Sequence, residues 1–574
     1  MSKINFIALG GVQEDGKNLY CIEVDEKIFV LDCGSKYPTS ELYGIDVIVN
    51  DISYLVNNMN RVQGIFLSHA HNDHIGGVSY LLREKKLKVY GSKFTLAVLR
   101  SRLEDDEVEY DEDELEPVTA KTALHFGDVT VRFFEVSHNL PESFGIAIHT
   151  NDGYIIYTAN YNFDQNSKID YSHMFRSLAV FAKEGVLALL TESLGANNEE
   201  SRGTILEFKL RMTNLLSSTK GRIIFSLFSG DVLRIQQICD IAISQGKKIA
   251  ILGIKTQKIV RAAIQLGYLN IPQDKFVSLR YIDDNNKNTD ENLVVIVTGE
   301  RHEPYFMLQR MARGTDRLVK LNAEDTVVIL TNPHIGTEKM AAKTLDLIYH
   351  VTSKIKAVSA SLMPRPDANR EEIKEMINIL KPKYIIPVIG EYRHQYALSI
   401  VANCVGYDDD RILIADNGDV LTFDHGKYIG ITGDVPCGEV MIDGKAFKDI
   451  SDVVMRDREL LAKDGLILIT ANINPRTKQV VLGPEIITKG FVFSKENEDI
   501  DKNMKDIFNN VSKQFLDTKF INWSDYKLNI KNELSHYIYK EIKRSPIIIP
   551  VLISTDTELI ATNNNINVNA VSVE

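Results

Sequence analysis

Three histidines and an aspartate fall within six residues at His69-Ala-His71-Asn-Asp73-His74, directly behind the apolar run Gly64-Ile-Phe-Leu67. The run reads as a buried strand, so the four side chains sit on a tight loop at its end, and Gly76-Gly77 let a helix begin close by. Imidazole nitrogens together with a carboxylate suit zinc or manganese. The spacing splits the cluster. His69 and His71 reach one ion, while Asp73 and His74 turn toward a second, and two such ions activate one water and stabilise both oxygens of a displaced phosphate. The competing reading is an ordinary histidine-bearing loop, which three histidines and an aspartate in HxHxDH spacing disfavour.

The surroundings call for a layered α/β architecture. Residues 4–9, 19–24, 28–31 and 64–67 read as strands, and 79–86 and 93–103 as helices. From about residue 200 the rhythm changes to helix 204–216, strand 222–227, helix 234–245, strand 248–252 and helix 256–266. That βαβ alternation implies a separate parallel-sheet unit. It continues through strand 326–330, helices 338–351 and 370–380, and strand 384–388. Residues 418–444 are Gly-rich and extended, as a linker would be. Residues 453–553 show a strand–helix–strand pattern, and the Asn-rich end after 562 reads as frayed.

At 574 residues the chain exceeds one hydrophobic core. No run approaches the roughly 18 apolar residues of a membrane span, and the start lacks the apolar region of a secretion signal. Cys21, Cys33, Cys239, Cys404 and Cys437 form no CxxC pair and read as buried apolar residues, so a cytoplasmic address is expected. A net charge of −12 argues against coating nucleic acid through the overall field. The acidic stretch from Glu104 to Glu116 reads as a solvated face.

Further motifs narrow the reading. They are Gly10-Gly-Val-Gln-Glu14-Asp-Gly16-Lys-Asn18, Leu31-Asp32-Cys-Gly34, Thr298-Gly299, Lys381-Pro-Lys-Tyr384-Ile-Ile-Pro387-Val, Gly390-Glu-Tyr-Arg393, Asp416-Asn-Gly418 and Gly483-Pro-Glu485. Together with HxHxDH, and in this order along essentially the whole chain, they resemble the ribonuclease J family. The resemblance implies a metallo-β-lactamase αββα sandwich with an inserted β-CASP α/β domain and a small α+β C-terminal domain. Its expected boundaries are 1–199 and 351–425 for the sandwich, 200–350 for the insertion, 426–450 for a linker, 451–560 for an assembly domain and 561–574 for a flexible tail.

Carried over residue by residue, the family pattern is kept unevenly. His138 in Val-Ser-His138-Asn-Leu-Pro141 completes three imidazoles with His69 and His71, and Glu192 keeps an acidic motif position. The aspartate expected to bridge both ions is Asn160, which is neutral and cannot bridge two dications as a carboxylate does. The last metal histidine is Ile389. The motif His-x-Ser-Gly-His is Ala357-Val-Ser359-Ala-Ser361, so Ser361 stands where the catalytic histidine is expected. The Ser-Asn pair that cradles an RNA 5′ phosphate is Gly230-Asp231, which sets a carboxylate where phosphate belongs. Asp73 and Glu192 remain as catalytic carboxylates. Ser359, Arg301, Arg310 and Arg313 are the expected RNA contacts, Arg310 and Arg313 belonging to a run with Arg317 and Lys320.

The resemblance therefore implies a protein of RNA processing and decay holding one zinc, with manganese as the alternative. It acts on RNA and assembles with itself or with a second ribonuclease J, with no role at membranes or on DNA. A weakened or inactive hydrolase serving as partner of an active ribonuclease J is one reading. An active 5′→3′ exonuclease and endonuclease with a reduced metal site is the alternative, and a metallo-hydrolase of another substrate is the third.

Overall fold

In the first strand, Lys3–Gly10, alternate side chains leave on opposite faces, and both faces are buried: Phe6 and Ala8 on one, Ile7 and Leu9 on the other. Such a strand needs a layer above and a layer below. The computed structural model describes residues 2–38, 42, 44–163, 172–198, 203–277, 290–334, 336–444, 452–491 and 498–555. In it an eight-stranded sheet runs in the order Lys427–Asp434, Asp419–Asp424, Lys3–Gly10, Leu19–Val24, Lys27–Leu31, Val62–Phe66, Val89–Gly91, Leu115–Pro117. A six-stranded sheet runs Tyr384–Val388, Val186–Glu192, Gly153–Tyr157, Phe144–Thr150, Val129–Glu135, Ala123–Phe126. Phe6, Phe29 and Phe66 of the first pack against Phe133, Ile146 and Leu190 of the second. Helices cover the outer faces, Val78–Glu84 and Lys93–Asp105 on the first and Arg370–Leu380 and Tyr392–Cys404 on the second. The αββα sandwich is present.

Phe66 anchors the strand that delivers the histidine loop. It stacks on Tyr90 at 5.0 Å and is fully buried, a burial that contributes about 1.5–3 kcal/mol. Lys27–Leu31 and Val62–Phe66 are parallel, as are Gly153–Tyr157, Val186–Glu192 and Tyr384–Val388. Both sheets thus bring strand ends to one rim, where the Tyr157 hydroxyl of the second sheet donates to Asp32 of the first at 2.8 Å.

The inserted unit is a five-stranded, all-parallel sheet in the order Lys248–Leu252, Leu293–Gly299, Ile223–Phe228, Thr326–Ile329, Ile355–Ala357. The last strand lies beyond the expected boundary at 350, because its carbonyls and amides complete the ladder of Thr326–Ile329. Arg222 and Asp325 form a buried two-point ion pair beneath this sheet, at 3.0 and 2.6 Å.

The expected linker at 426–450 is corrected over most of its length. Lys427–Asp434 is an edge strand hydrogen-bonded to Asp419–Asp424, and Glu439–Ile442 pairs with Val47–Asn50. Glycines there suit an edge strand whose side chains are largely exposed, and backbone bonds rather than apolar burial hold it. Residues 445–450 and the tail 561–574 lie outside the described residues. Cys404 is exposed and Cys437 half-buried, against the expectation for five buried cysteines. No helix among the described residues is long and apolar enough to cross a membrane.

The C-terminal unit opens on a helix, Asp452–Asp464, ahead of the expected strands. Its three-stranded sheet places Leu466–Asn474 between Gln479–Lys489 and Ile547–Ser554. Ile467, Ile469 and Ile473 alternate onto one face and pack under Phe508, Tyr526 and Leu534 from the helices Glu498–Leu516 and Trp523–Ile542.

Candidate metal centre

The loop after Val62–Phe66 is pressed against the turn at residues 33–35. A Cβ on Gly34 would stand 1.7 Å from the Asp73 carbonyl, so only glycine lets the two backbones approach this closely. Within that clamp His69, His71 and His138 converge. Nε2 of His69 is 3.0 Å from Nδ1 of His71, and Nε2 of His138 is 3.2 Å from the same atom. The ligand atoms of the three lie within 4.8 Å of one another.

Their outer nitrogens decide what faces inward. Nδ1 of His138 lies 3.0 Å from the Pro366 carbonyl, and Nε2 of His71 lies 3.2 Å from the Gly230 carbonyl. A carbonyl only accepts, so both outer nitrogens carry the proton and donate it. The Ser68 hydroxyl donates to Asp32 at 2.7 Å and accepts from Nδ1 of His69 at 3.0 Å. Three lone pairs therefore point at one another with no hydrogen between them, an arrangement a cation resolves. Nitrogens bound to one tetrahedral zinc at about 2.0–2.1 Å are separated by about 3.3–3.4 Å, close to the spacing here. Burial, reinforced at His69 by His74, His138 and His71, holds the His69 imidazole well below its usual range. Burial and then His71 do the same at His138. At His71 burial prevails over the pull of Asp73. Neutral imidazoles are the form that binds metal.

Of the five expected metal ligands, Asp73 and His74 do not join this group. The His74 Nδ1 sits 2.7 Å from Asp32 Oδ2, and its Nε2 sits 3.1 Å from Asp73 Oδ2. Burial alone would depress the His74 imidazole, but the carboxylates of Asp73 and Asp32 outweigh it and raise it to about 10. Burial likewise opposes ionisation of Asp73, and His74 overcomes it and holds the carboxyl well below its ordinary range. The spacing in sequence could not show this, because Asp32 arrives from another strand. It accepts from Ser68 N at 2.8 Å, from the Ser68 hydroxyl, from Tyr157 and from His74.

Asn160 and Ile389 stand at the two positions where the family resemblance leads one to expect ligands of a second ion. Asn160 is buried, and its Nδ2 donates to Glu192 Oε2 at 2.9 Å and to Asp367 Oδ1 at 3.1 Å. Its Oδ1 has no partner among the described residues. Ile389 is fully buried in the inter-sheet core with φ of 52°. That left-handed conformation is foreign to a β-branched side chain and costs about 1–3 kcal/mol. It persists because the Ile389 N–H donates to the Gly11 carbonyl at 2.9 Å.

Glu192, expected as catalytic, is a buried brace. Besides Asn160 it accepts from Tyr161 N at 2.9 Å and Ala368 N at 2.8 Å, and it has no exposure. The expected RNA contacts are dispersed. Arg301 donates to the Pro38 carbonyl at 2.6 Å and lies over the Tyr37 ring. Arg310 pairs with Asp316 at 3.2 Å, and Arg313 reaches Gln309 one turn back. Ser359 is exposed, and its hydroxyl is 3.0 Å from that of Ser361. Sequence reasoning gave no metal-centre role to Asp32, Gly230, Pro366 or Asp367. Asp32 lies in the motif Leu31-Asp32-Cys-Gly34 and Gly230 in the pair Gly230-Asp231, but Gly230 and Pro366 act through backbone oxygens and Asp367 comes from a segment without a motif.

Residues 220–348 match the family described as "Ribonuclease J, beta-CASP domain", and residues 453–555 the "Ribonuclease J C-terminal domain". Residues 42–172 match a beta-lactamase superfamily domain, and 368–403 a "Zn-dependent metallo-hydrolase RNA specificity domain". Ribonuclease J2 of Bacillus subtilis (strain 168) is 36% identical over 549 residues, covering 96% of this chain and 98% of the relative. The chain belongs to the ribonuclease J family. A second ribonuclease J2, from Streptococcus pyogenes serotype M3, is 34% identical over 96% of this chain and 99% of its own. A crystal structure of a protein of unknown function from Enterococcus faecalis V583 superposes with a TM-score of 0.50 at 13% identity, covering 74% of this chain and 100% of that one, which shows a shared fold. In this chain the three imidazoles of His69, His71 and His138 converge, while Asp73 and His74 are paired with each other.

Proposed function

We propose that this ribonuclease J binds RNA, holds one metal ion at His69, His71 and His138, hydrolyses RNA slowly on its own, and serves as partner of a more active ribonuclease J. The observation that carries the reading is the asymmetry of the site: three neutral imidazoles converge, while Asp73 and His74 are paired with each other, and Asn160 and Ile389 stand where the family resemblance expects further ligands. A zinc ion, the expected metal, acts as a Lewis acid on a phosphate oxygen when bound there. The rest falls to the chain. Asp73, ionised and about a third exposed at 36%, accepts a hydrogen bond from an attacking water and orients it. Nothing at residues 357–361 can protonate the leaving oxygen, since Ser359 and Ser361 are serines whose hydroxyls face each other. A missing general acid costs about 10²–10⁴-fold in rate.

The partner role is supported by the C-terminal domain, which keeps its family match over 453–555. The test is metal analysis of the purified chain and an assay on 5′-monophosphorylated RNA, alone and mixed with a second ribonuclease J from the same cell. One ion per chain, slow turnover alone and co-elution with the second protein are expected. Rapid turnover by the isolated chain, lost in His71→Ala, overturns the weak-enzyme reading, and separate elution overturns the partner role.

A further inference from the structure

The outer nitrogens of the three imidazoles are held by three different parts of the chain. Ser68, in the histidine loop itself, holds His69, and Pro366 holds His138. His71 is held by the inserted parallel-sheet unit, through the carbonyl of Gly230 just past strand Ile223–Phe228. The approach is close enough to exclude a side chain. A Cβ at Gly230 would stand 2.8 Å from Nε2 and 2.9 Å from Cδ2 of His71. The backbone there lies outside the left-handed region, so the imidazole alone forbids an L side chain.

The segment that presents this carbonyl is fixed from behind. Ser229 N donates to the Gly299 carbonyl at 2.9 Å, within the inserted sheet. Asp231 caps the helix Val232–Ser244 by accepting from Arg234 N at 3.2 Å. The buried Arg234 side chain then donates to the Pro364 carbonyl at 3.0 Å, two residues before the carbonyl that holds His138. Two of the three imidazoles are thus steered by backbone carbonyls on segments that Arg234 ties together. These segments and His138 also line one small cavity, of about 40 Å³.

We propose that Gly230 is a positioning residue of the metal centre. Its carbonyl fixes the tautomer and tilt of His71, so the affinity of the three-histidine site is set by the inserted unit as well as by the histidine loop. The proposal rests on the one-ion reading of the same site. It carries a reciprocal consequence: if the seated segment tightens the ion, the bound ion holds the segment in place by the same factor.

The test uses the full-length chain with zinc alone as the probe. In Gly230→Ala, zinc affinity measured by competition with a chromophoric chelator is expected to fall about 10–100-fold, the usual effect of losing a group that orients a ligand. The visible spectrum of the cobalt-substituted site should change with it. Gly438→Ala, where an added Cβ meets nothing within 4 Å, is the control and should bind as the parent does. Hydrogen exchange on the parent needs no variant: zinc should protect the amides of residues 229–234. Parent-like affinity and cobalt spectrum in Gly230→Ala, or no protection of that segment by bound zinc, overturns the proposal. A parent that binds no zinc overturns the one-ion reading beneath it.

Discussion

Asn160→Asp places a carboxylate where a carboxamide now mediates between two others. Asn160 Nδ2 donates to Glu192 Oε2 at 2.9 Å and to Asp367 Oδ1 at 3.1 Å, in a site only 5% exposed. The substitution removes both donors at once. Hydrogen bonds to charged acceptors contribute about 1.5–3 kcal/mol each, so the pair accounts for about 3–6 kcal/mol in the metal-free protein. Like-charge repulsion adds a pH dependence with a definite sign. Crowded by two carboxylates, the new carboxyl has a folded pKa above its unfolded value of about 3.9. Its protonated form can still donate, so the loss is smallest in acid and grows as pH rises through the folded pKa. The assay is calorimetry of the metal-free parent and variant at pH 5 and pH 8, following the transition of the first unit. Trp523 is the chain's one tryptophan and lies in the C-terminal unit, so its fluorescence would miss the event. A large loss at pH 8, a smaller one at pH 5, and partial recovery with added manganese are expected. A metal-free variant as stable as the parent at pH 8 refutes the assignment of Asn160 as a bridge between carboxylates.

Two further outcomes follow from the buried charges. His74 is raised to about 10, above its unfolded value of about 6.5, so its contribution is complete below about pH 6.5 and is lost as pH rises through about 10. Unfolding of the metal-free chain between pH 6.5 and 10 should show that decline, and His74→Asn should flatten it; an unchanged slope would count against the Asp32–His74–Asp73 pairing. Arg222→Ala leaves Asp325 buried at 1% exposure without its two-point partner and should destabilise the inserted unit by about 3–5 kcal/mol, read by calorimetry. Arg222→Met combined with Asp325→Leu should recover most of that loss.

The layered α/β architecture and the parallel insertion were legible because strand and helix periods carry through the chain, and the sandwich itself followed from the family resemblance. Phe6 and Ile7 announce a strand buried on both faces before any partner is known. The edge strand Lys427–Asp434 was not legible, since most of its side chains stay exposed and its partner lies in the backbone of Asp419–Asp424. At the site, spacing named His69 and His71, and the family resemblance added His138. Spacing also suggested Asp73 and His74 as a second set, but it could not show that Asp32 arrives from elsewhere to pair with His74.

The histidine loop with which the sequence begins its argument therefore has two levels of determination. Sequence alone determined which donors the loop offers and that a buried strand delivers them, and only the family resemblance marks Asn160, Ile389 and Ser361 as departures. Tertiary structure alone decided which way each ring nitrogen faces. Asp32 turns His74 into an ion-pair partner, and the carbonyls of Gly230 and Pro366 turn the lone pairs of His71 and His138 inward. A ring's tautomer is set by whatever accepts its other proton, and here two of those acceptors are backbone oxygens, which any residue type supplies and no sequence motif records.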